Sequence, residues 1–176
     1  MKISVIIPTL NEVKNINHLL PHLYNCRDTT LHEILVVDGG SQDGTLEKAR
    51  QLGVRVFQSP KKGRAAQMNY AATQATGDVL YFVHADVHPP LSCFCDIRDA
   101  VLDGFDLGCF TYRFDDDDFK LKINALFTRI DGRWNGGGDQ TLFVKRSVFE
   151  TLGGFKDHYI IMEDFDFVQR AREKYA

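Results

Sequence analysis

Residues 3 to 7, ISVII, form an unbroken apolar run, and in the LNEVKNINHLLPHL stretch behind it Val13, Ile16, Leu19, Leu20 and Leu23 recur every three or four residues. The run predicts a buried strand, and the spacing predicts an amphipathic helix that covers it. The same alternation repeats down the first half of the chain. EILVVD at 33 to 38 precedes a helix at about 43 to 52, and VRVFQS at 54 to 59 precedes a helix from about Arg64 to Ala75. DVLYFVHAD at 78 to 86 then supplies a fourth strand. Strands that read as near-continuous apolar runs are buried on both faces, and their alternation with helices predicts an α/β fold with a mostly parallel central sheet flanked by helices.

Beyond Pro90 the rhythm loosens. A helix to about Leu102, a strand near 105 to 114, the acidic run Asp115 to Asp118, a helical segment near 119 to 130 and the strand TLFVK follow. The last segment, MEDFDFVQRAREKY, predicts a helix whose packed stripe is Phe165, Val168, Ala171 and Tyr175, with Glu163 and Asp164 at its N-terminus. No internal repeat or linker divides the chain. One domain is expected over 1–176.

In an open parallel sheet, ligands collect outside the carboxyl ends of the strands. Four strand ends carry polar groups: Pro8-Thr9-Leu10-Asn11-Glu12, Asp38-Gly39-Gly40-Ser41, Ser59 through Arg64, and His84-Ala85-Asp86. Side chains two apart on a strand share a face, so His84 and Asp86 are expected to project together. Asp38 can accept hydrogen bonds from a base or ribose, or the same stretch is a turn in which Ser41 or Asp43 caps the next helix. Lys61, Lys62 and Arg64 surround a glycine at a helix start, where backbone donors, dipole and cations suit a diphosphate; a solvated basic loop is the alternative. Asp86, with His84, is a candidate ligand for a divalent cation, Mg²⁺ or Mn²⁺, and also reads as a turn former ahead of proline. In GGGDQ the loop delivers Asp139 and Gln140, with Trp134 upstream either to stack on a sugar or to anchor the core. Glu163 and Asp164 complement the helix dipole or supply a general base.

Composition narrows the partners. The chain has 176 residues, 44% hydrophobic and 26% charged, with 21 Lys and Arg against 24 Asp and Glu and a net charge of −3. Such a balance gives no sign of a polyanion-binding surface, so no nucleic-acid partner is expected. No apolar run approaches the ~20 residues of a membrane helix, and the N-terminal one is too short for a signal-peptide core. The four cysteines lack zinc-ribbon or CxxC spacing and read as reduced thiols, which points to the cytoplasm. Peripheral contact with the inner face of the membrane stays open, as does the oligomeric state.

Taken in order, SVIIPTLNE, VVDGGSQDGT, GRAAQMN, FVHAD, GGGDQTLF and IIMEDFDF resemble the family 2 glycosyltransferases of the GT-A, or nucleotide-diphosphosugar transferase, fold. More narrowly they are similar to the small bacterial branch with His-Ala-Asp in place of Asp-x-Asp. The resemblance implies inverting, metal-assisted transfer of a sugar from a nucleotide-diphosphate sugar to an acceptor hydroxyl. Pro8, Thr9, Glu12, Asp38, Arg64, Asn69, Ala85 and Asp86 would then bind the nucleotide sugar. Asp86 and His84 would serve the metal, and Asp164, beside Glu163, the base. Trp134, Asp139 and Gln140 would line the donor-sugar or acceptor side. Relatives commonly continue past the point where this chain stops, so a C-terminal truncation is expected. Two other readings differ in what the sequence should carry. A sugar-phosphate nucleotidyltransferase would carry a glycine-rich loop where PTLNE stands, and a binding or regulatory module would bind the donor without turnover.

Overall fold

The computed structural model describes residues 1–110, 141–159 and 161–175. The expected helix at 119–130 and the acidic run at 115–118 lie outside the described residues.

Six strands, β1 (Ile3–Thr9), β2 (Leu31–Asp38), β3 (Arg55–Gln58), β4 (Val79–Phe82), β5 (Leu107–Cys109) and β6 (Leu142–Lys145), form one sheet in the order β3-β2-β1-β4-β6-β5. β1 is central, and β1 to β4 run parallel; β6 runs antiparallel to both its neighbours. The register pairs Thr9 with Asp38 and Asp38 with Gln58, so the carboxyl ends of the first three strands finish side by side. Because β6 is reversed, its first residue, Leu142, pairs with Phe82 at that same edge.

All seven residues of β1 are buried. Alternation along the strand sends Ile3, Val5 and Ile7 to one face, where α1 (Val13–Cys26), α2 (Thr45–Gln51) and α4 (Cys93–Leu102) cover them with Ile16, Leu19, Leu20, Leu23, Ala49, Phe94 and Ile97. Ile6, Leu35, Val37, Leu80 and Phe82 point to the other face, beneath α3 (Arg64–Gln74), α5 (Arg146–Thr151) and α6 (Glu163–Tyr175). Two faces each closed by helices explain why the strands carry so little polar alternation.

The second face is aromatic. Phe82, Phe149, Phe155 and Phe167 stack mutually with ring centroids 4.9–5.3 Å apart. These contacts seat α6 and so fix where its first residues fall. Here the structure shifts the expected stripe: Phe167, Val168 and Ala171 are buried, whereas Phe165 is only partly covered and Tyr175 is half exposed. Phe167 lies in the cluster because the helix packs against Phe149 and Phe155, which pattern within one segment does not reveal. β4 is also shorter than expected. It ends at Phe82, and His84 to Val87 form a turn closed by the Val87 N–H bonded to the His84 carbonyl at 3.2 Å. The short helix α5 is an addition to the elements anticipated.

Candidate active site

The loops leaving β1 and β2 are laced together before they meet any ligand. The Asn11 N–H donates to Ser41 Oγ at 2.7 Å, the Gln42 N–H to Asn11 Oδ1 at 2.9 Å, and the Glu12 N–H to Thr45 Oγ1 at 2.9 Å. Asp43 accepts from the Val13 and Thr45 N–H groups, both at 3.1 Å, so one carboxylate holds the starts of two helices. Those bonds, with the hydroxyl of Thr45 as the leading contributor, hold its carboxyl below the usual range.

Asp38 anchors the second loop from inside. It is fully buried. One carboxylate oxygen accepts the N–H groups of Gly40 and Ser41, both at 2.8 Å, and the other accepts the hydroxyls of Thr9, at 3.2 Å, and Ser41. All four bonds come from its own chain, and the turn they hold carries Gly39 and Gly40 onto the wall of a cavity. Of the two readings of this stretch, the turn-forming one describes the contacts of Asp38.

That cavity, about 430 Å³, opens at the carboxyl edge of the sheet, a volume within the range of small-molecule sites. Pro8, Thr9 and Glu12 from the first loop, Gly39 and Gly40 from the second, Lys62 and Arg64 from the third, and His84, Ala85 and Asp86 after β4 all line it. Four strand ends separated by up to 78 positions thus contribute to one wall, from Pro8 to Asp86. Asp86 is exposed and His84 partly buried. They share the cavity through a turn and not, as strand geometry would have it, through a common strand face.

Arg64, the first residue of α3, crosses to the first residue of α6. Its Nε and Nη2 donate to the two oxygens of Glu163, the second at 3.1 Å, in a two-point grip that a planar guanidinium makes with a carboxylate. Glu163 is fully buried and Arg64 28% exposed, so the pair has its carboxylate end inside and its cationic end at the cavity. Asp164, 6% exposed, accepts the Phe165 N–H at 2.8 Å. Cys109, at the end of β5, lies near it: burial, and next the Asp164 charge, push that thiol up to about 12.

Asn69 has a different task from the one expected of it. Its amide donates to the Phe155 carbonyl at 2.7 Å and to Asp157 at 2.9 Å, and accepts the Phe155 N–H at 2.9 Å. It ties α3 to the segment before α6 and does not line the cavity. Trp134, Asp139 and Gln140 lie outside the described residues. The pattern reading passed over Gln67, which also lines the cavity. Its signal was a polar residue amid the alanines and methionine of the buried face of α3.

The sequence model described as glycosyl transferase family 2 matches residues 4–155. The chain belongs to that family. Among curated relatives, this family 2 member is 36% identical over 112 residues to the dolichol-phosphate mannosyltransferase of Pyrococcus furiosus, covering 61% of this chain and 32% of that protein. It is 28% identical over 186 residues to the glycosyltransferase AglE of Haloferax volcanii, covering 97% and 61%. The family 2 chain therefore spans between a third and three fifths of these relatives' length. Its fold is that of a mannosyltransferase from Pyrobaculum calidifontis, solved with GDP-Man and Mn²⁺, at a TM-score of 0.77, 22% identity, and coverage of 97% of this chain and 51% of that one. The glucosyl-3-phosphoglycerate synthase of Mycobacterium tuberculosis, solved with Mn²⁺, UDP and phosphoglyceric acid, superposes at 0.66 with 21% identity, covering 84% and 57%. The GT-A fold expected from the sequence is the fold observed.

Proposed function

We propose that this family 2 chain is the catalytic portion of an inverting glycosyltransferase that moves a sugar from a nucleotide-diphosphate sugar to an acceptor hydroxyl. The observation that carries the proposal is the shared cavity: base-side groups at β1 and β2, cations at the start of α3, and an exposed carboxylate at Asp86 face one volume. Nucleoside, diphosphate and metal require that order of surfaces. In this reading residues 1–90 form the nucleotide-binding half and 91–176 the acceptor half.

Pro8, Thr9 and Glu12 would hold the nucleoside, with Asp38 acting through the Gly39–Ser41 turn that it fixes. Lys62 and Arg64 would face the diphosphate, Arg64 held in place by Glu163. No cluster of three or more His, Cys, Asp or Glu side chains that could hold a metal occurs among the described residues. A carboxylate such as Asp86, with the His84 imidazole beside it, nevertheless fits a Mn²⁺ or Mg²⁺ that takes its remaining ligands from phosphate oxygens and water, the usual arrangement for a hard cation on a nucleotide. Such an ion, when bound, neutralises the charge that collects on the departing diphosphate. The Mn²⁺ in the two solved relatives supports this.

With Glu163 engaged by Arg64, Asp164 is the proposed general base. It would take the proton from the acceptor hydroxyl as that oxygen bonds to the anomeric carbon from the face opposite the diphosphate. The anomeric carbon–oxygen bond breaks with its electron pair leaving on the diphosphate, and the anomeric centre inverts. We assign the work to the cytoplasm, with peripheral contact at the inner membrane face; no described helix is long and apolar enough to cross a membrane.

The test pairs calorimetry of nucleotide-sugar binding in Mn²⁺ with an assay for released nucleoside diphosphate. Asp164→Asn is expected to keep donor binding and lose transfer, and Asp86→Asn to weaken binding in Mn²⁺ by about tenfold or more. A chain that binds no nucleoside diphosphate would sink the proposal, and full turnover in Asp164→Asn would remove that residue from the role of base.

A further inference from the structure

Gln67 sits between the ends of β1 and β2 with 5% of its surface exposed. Its amide nitrogen donates one hydrogen to the Thr9 carbonyl at 2.8 Å and the other to the Val37 carbonyl at 2.9 Å. Two carbonyl oxygens at those distances accept only from the nitrogen end, so the amide cannot flip. The oxygen end, Oε1, is therefore fixed. It has no partner among the described residues, is not sealed from solvent, and belongs to a side chain that lines the cavity.

The other acceptors at these two strand ends are already used. Asp38 is saturated by the turn it holds. The Thr9 carbonyl takes the Gly39 N–H at 2.9 Å besides Gln67, and the Val37 carbonyl takes the Thr9 hydroxyl at 3.4 Å. A Cβ on Gly39 would stand 3.2–3.3 Å from the Gln67 amide, so the absence of a side chain at 39 keeps the approach to Oε1 open.

We infer that Gln67 is a base-reading residue whose locked Oε1 accepts the ring N–H of the donor's nucleobase, uracil. This rests on the nucleotide-sugar reading of the same cavity. A single recessed acceptor suits a single ring N–H. An exocyclic amine, which cytosine and adenine present beside a ring-nitrogen lone pair, would bring two N–H groups to one acceptor and leave the second buried and unmet. Uracil, whose only base donor is the ring N–H, fits; guanine carries an exocyclic amine next to its ring N–H and meets the same objection as cytosine and adenine.

Binding of UDP, GDP, CDP and ADP to the protein in Mn²⁺, measured by calorimetry, tests the inference. UDP is expected to bind about tenfold or more tightly than GDP, CDP and ADP. Methylating the ring nitrogen of uracil, as 3-methyl-UDP, is expected to erase that advantage on the unaltered protein. Gln67→Met, which keeps the volume and leaves both backbone carbonyls one donor each, is expected to bring the four ligands within about threefold of one another. A preference for GDP, CDP or ADP, or N-methylated and parent ligands binding alike, overturns the role of Gln67 while leaving the donor reading intact. Failure of every nucleoside diphosphate to bind ends both.

Discussion

Replacing Glu33 with glutamine isolates one buried charge at the end of the sheet opposite the cavity. One carboxylate oxygen of Glu33 accepts three bonds, from Ser4 Oγ at 2.7 Å, the Thr76 N–H at 2.6 Å and Thr76 Oγ1 at 2.8 Å; the other faces Arg55. Burial by itself raises this carboxyl, but the bonds from Ser4, Thr76 and Arg55 outweigh it and bring the group from 4.5 down to about 2. A drop of that size corresponds to about 3 kcal/mol of stability. The carboxylate is only 10% exposed, but Arg55 is 47% exposed, so solvent screens part of the pair and about 2 kcal/mol is the better expectation. The folded value lies below the unfolded one. The contribution is therefore complete above pH about 4.5 and is lost as the pH falls toward about 2. In Glu33→Gln the amide oxygen can keep the three donors, but the NH₂ then faces the Arg55 guanidinium, donor against donor. Urea unfolding of both proteins at pH 7 and pH 3 should show the variant weaker by about 2 kcal/mol at neutrality and the gap narrowed to about 1 kcal/mol at pH 3. A gap of constant size at the two pH values, or none at pH 7, would refute the reasoning.

Arg64 and Glu163 should respond unequally to truncation. Arg64→Ala leaves a fully buried carboxylate without its guanidinium and is expected to cost about 3 kcal/mol, whereas Glu163→Gln leaves a cation that already reaches solvent and is expected to cost about 1 kcal/mol; equal losses in urea unfolding would contradict the assignment of the buried end. Gly154 has φ +67° and a Cβ there would meet Asn69 Oδ1 at 2.6 Å, while Gly153, at φ +73°, has open space around the same position. Gly153→Ala should cost about 1 kcal/mol and Gly154→Ala about 2 kcal/mol or more, read from thermal unfolding, and the order reverses only if the Asn69 clamp is absent.

Pattern alone determined the alternation of the first four strands and three helices, because an apolar run or a three-to-four spacing is a property of neighbouring residues. It also marked the strand ends at 8–12, 38–41, 59–64 and 84–86 as the polar edge, since a parallel sheet exposes its ligands there. Tertiary structure decided how the polar groups at and beside that edge are held. Asp38, Asn69 and Glu163 look alike in sequence as polar groups beside a site, yet partners 29, 86 and 99 positions away tie the first to Thr9 at the end of β1, the second to a loop and the third to Arg64. Gln67 shows the converse. A polar residue on a buried alanine face marks it as unusual, but only the pairing of β1 with β2 sets two carbonyls where they lock its amide and turn its oxygen to the cavity. Local periodicity encodes which face of an element is buried; the partner of a buried polar group is fixed by chain segments far apart, which meet only once the sheet has formed.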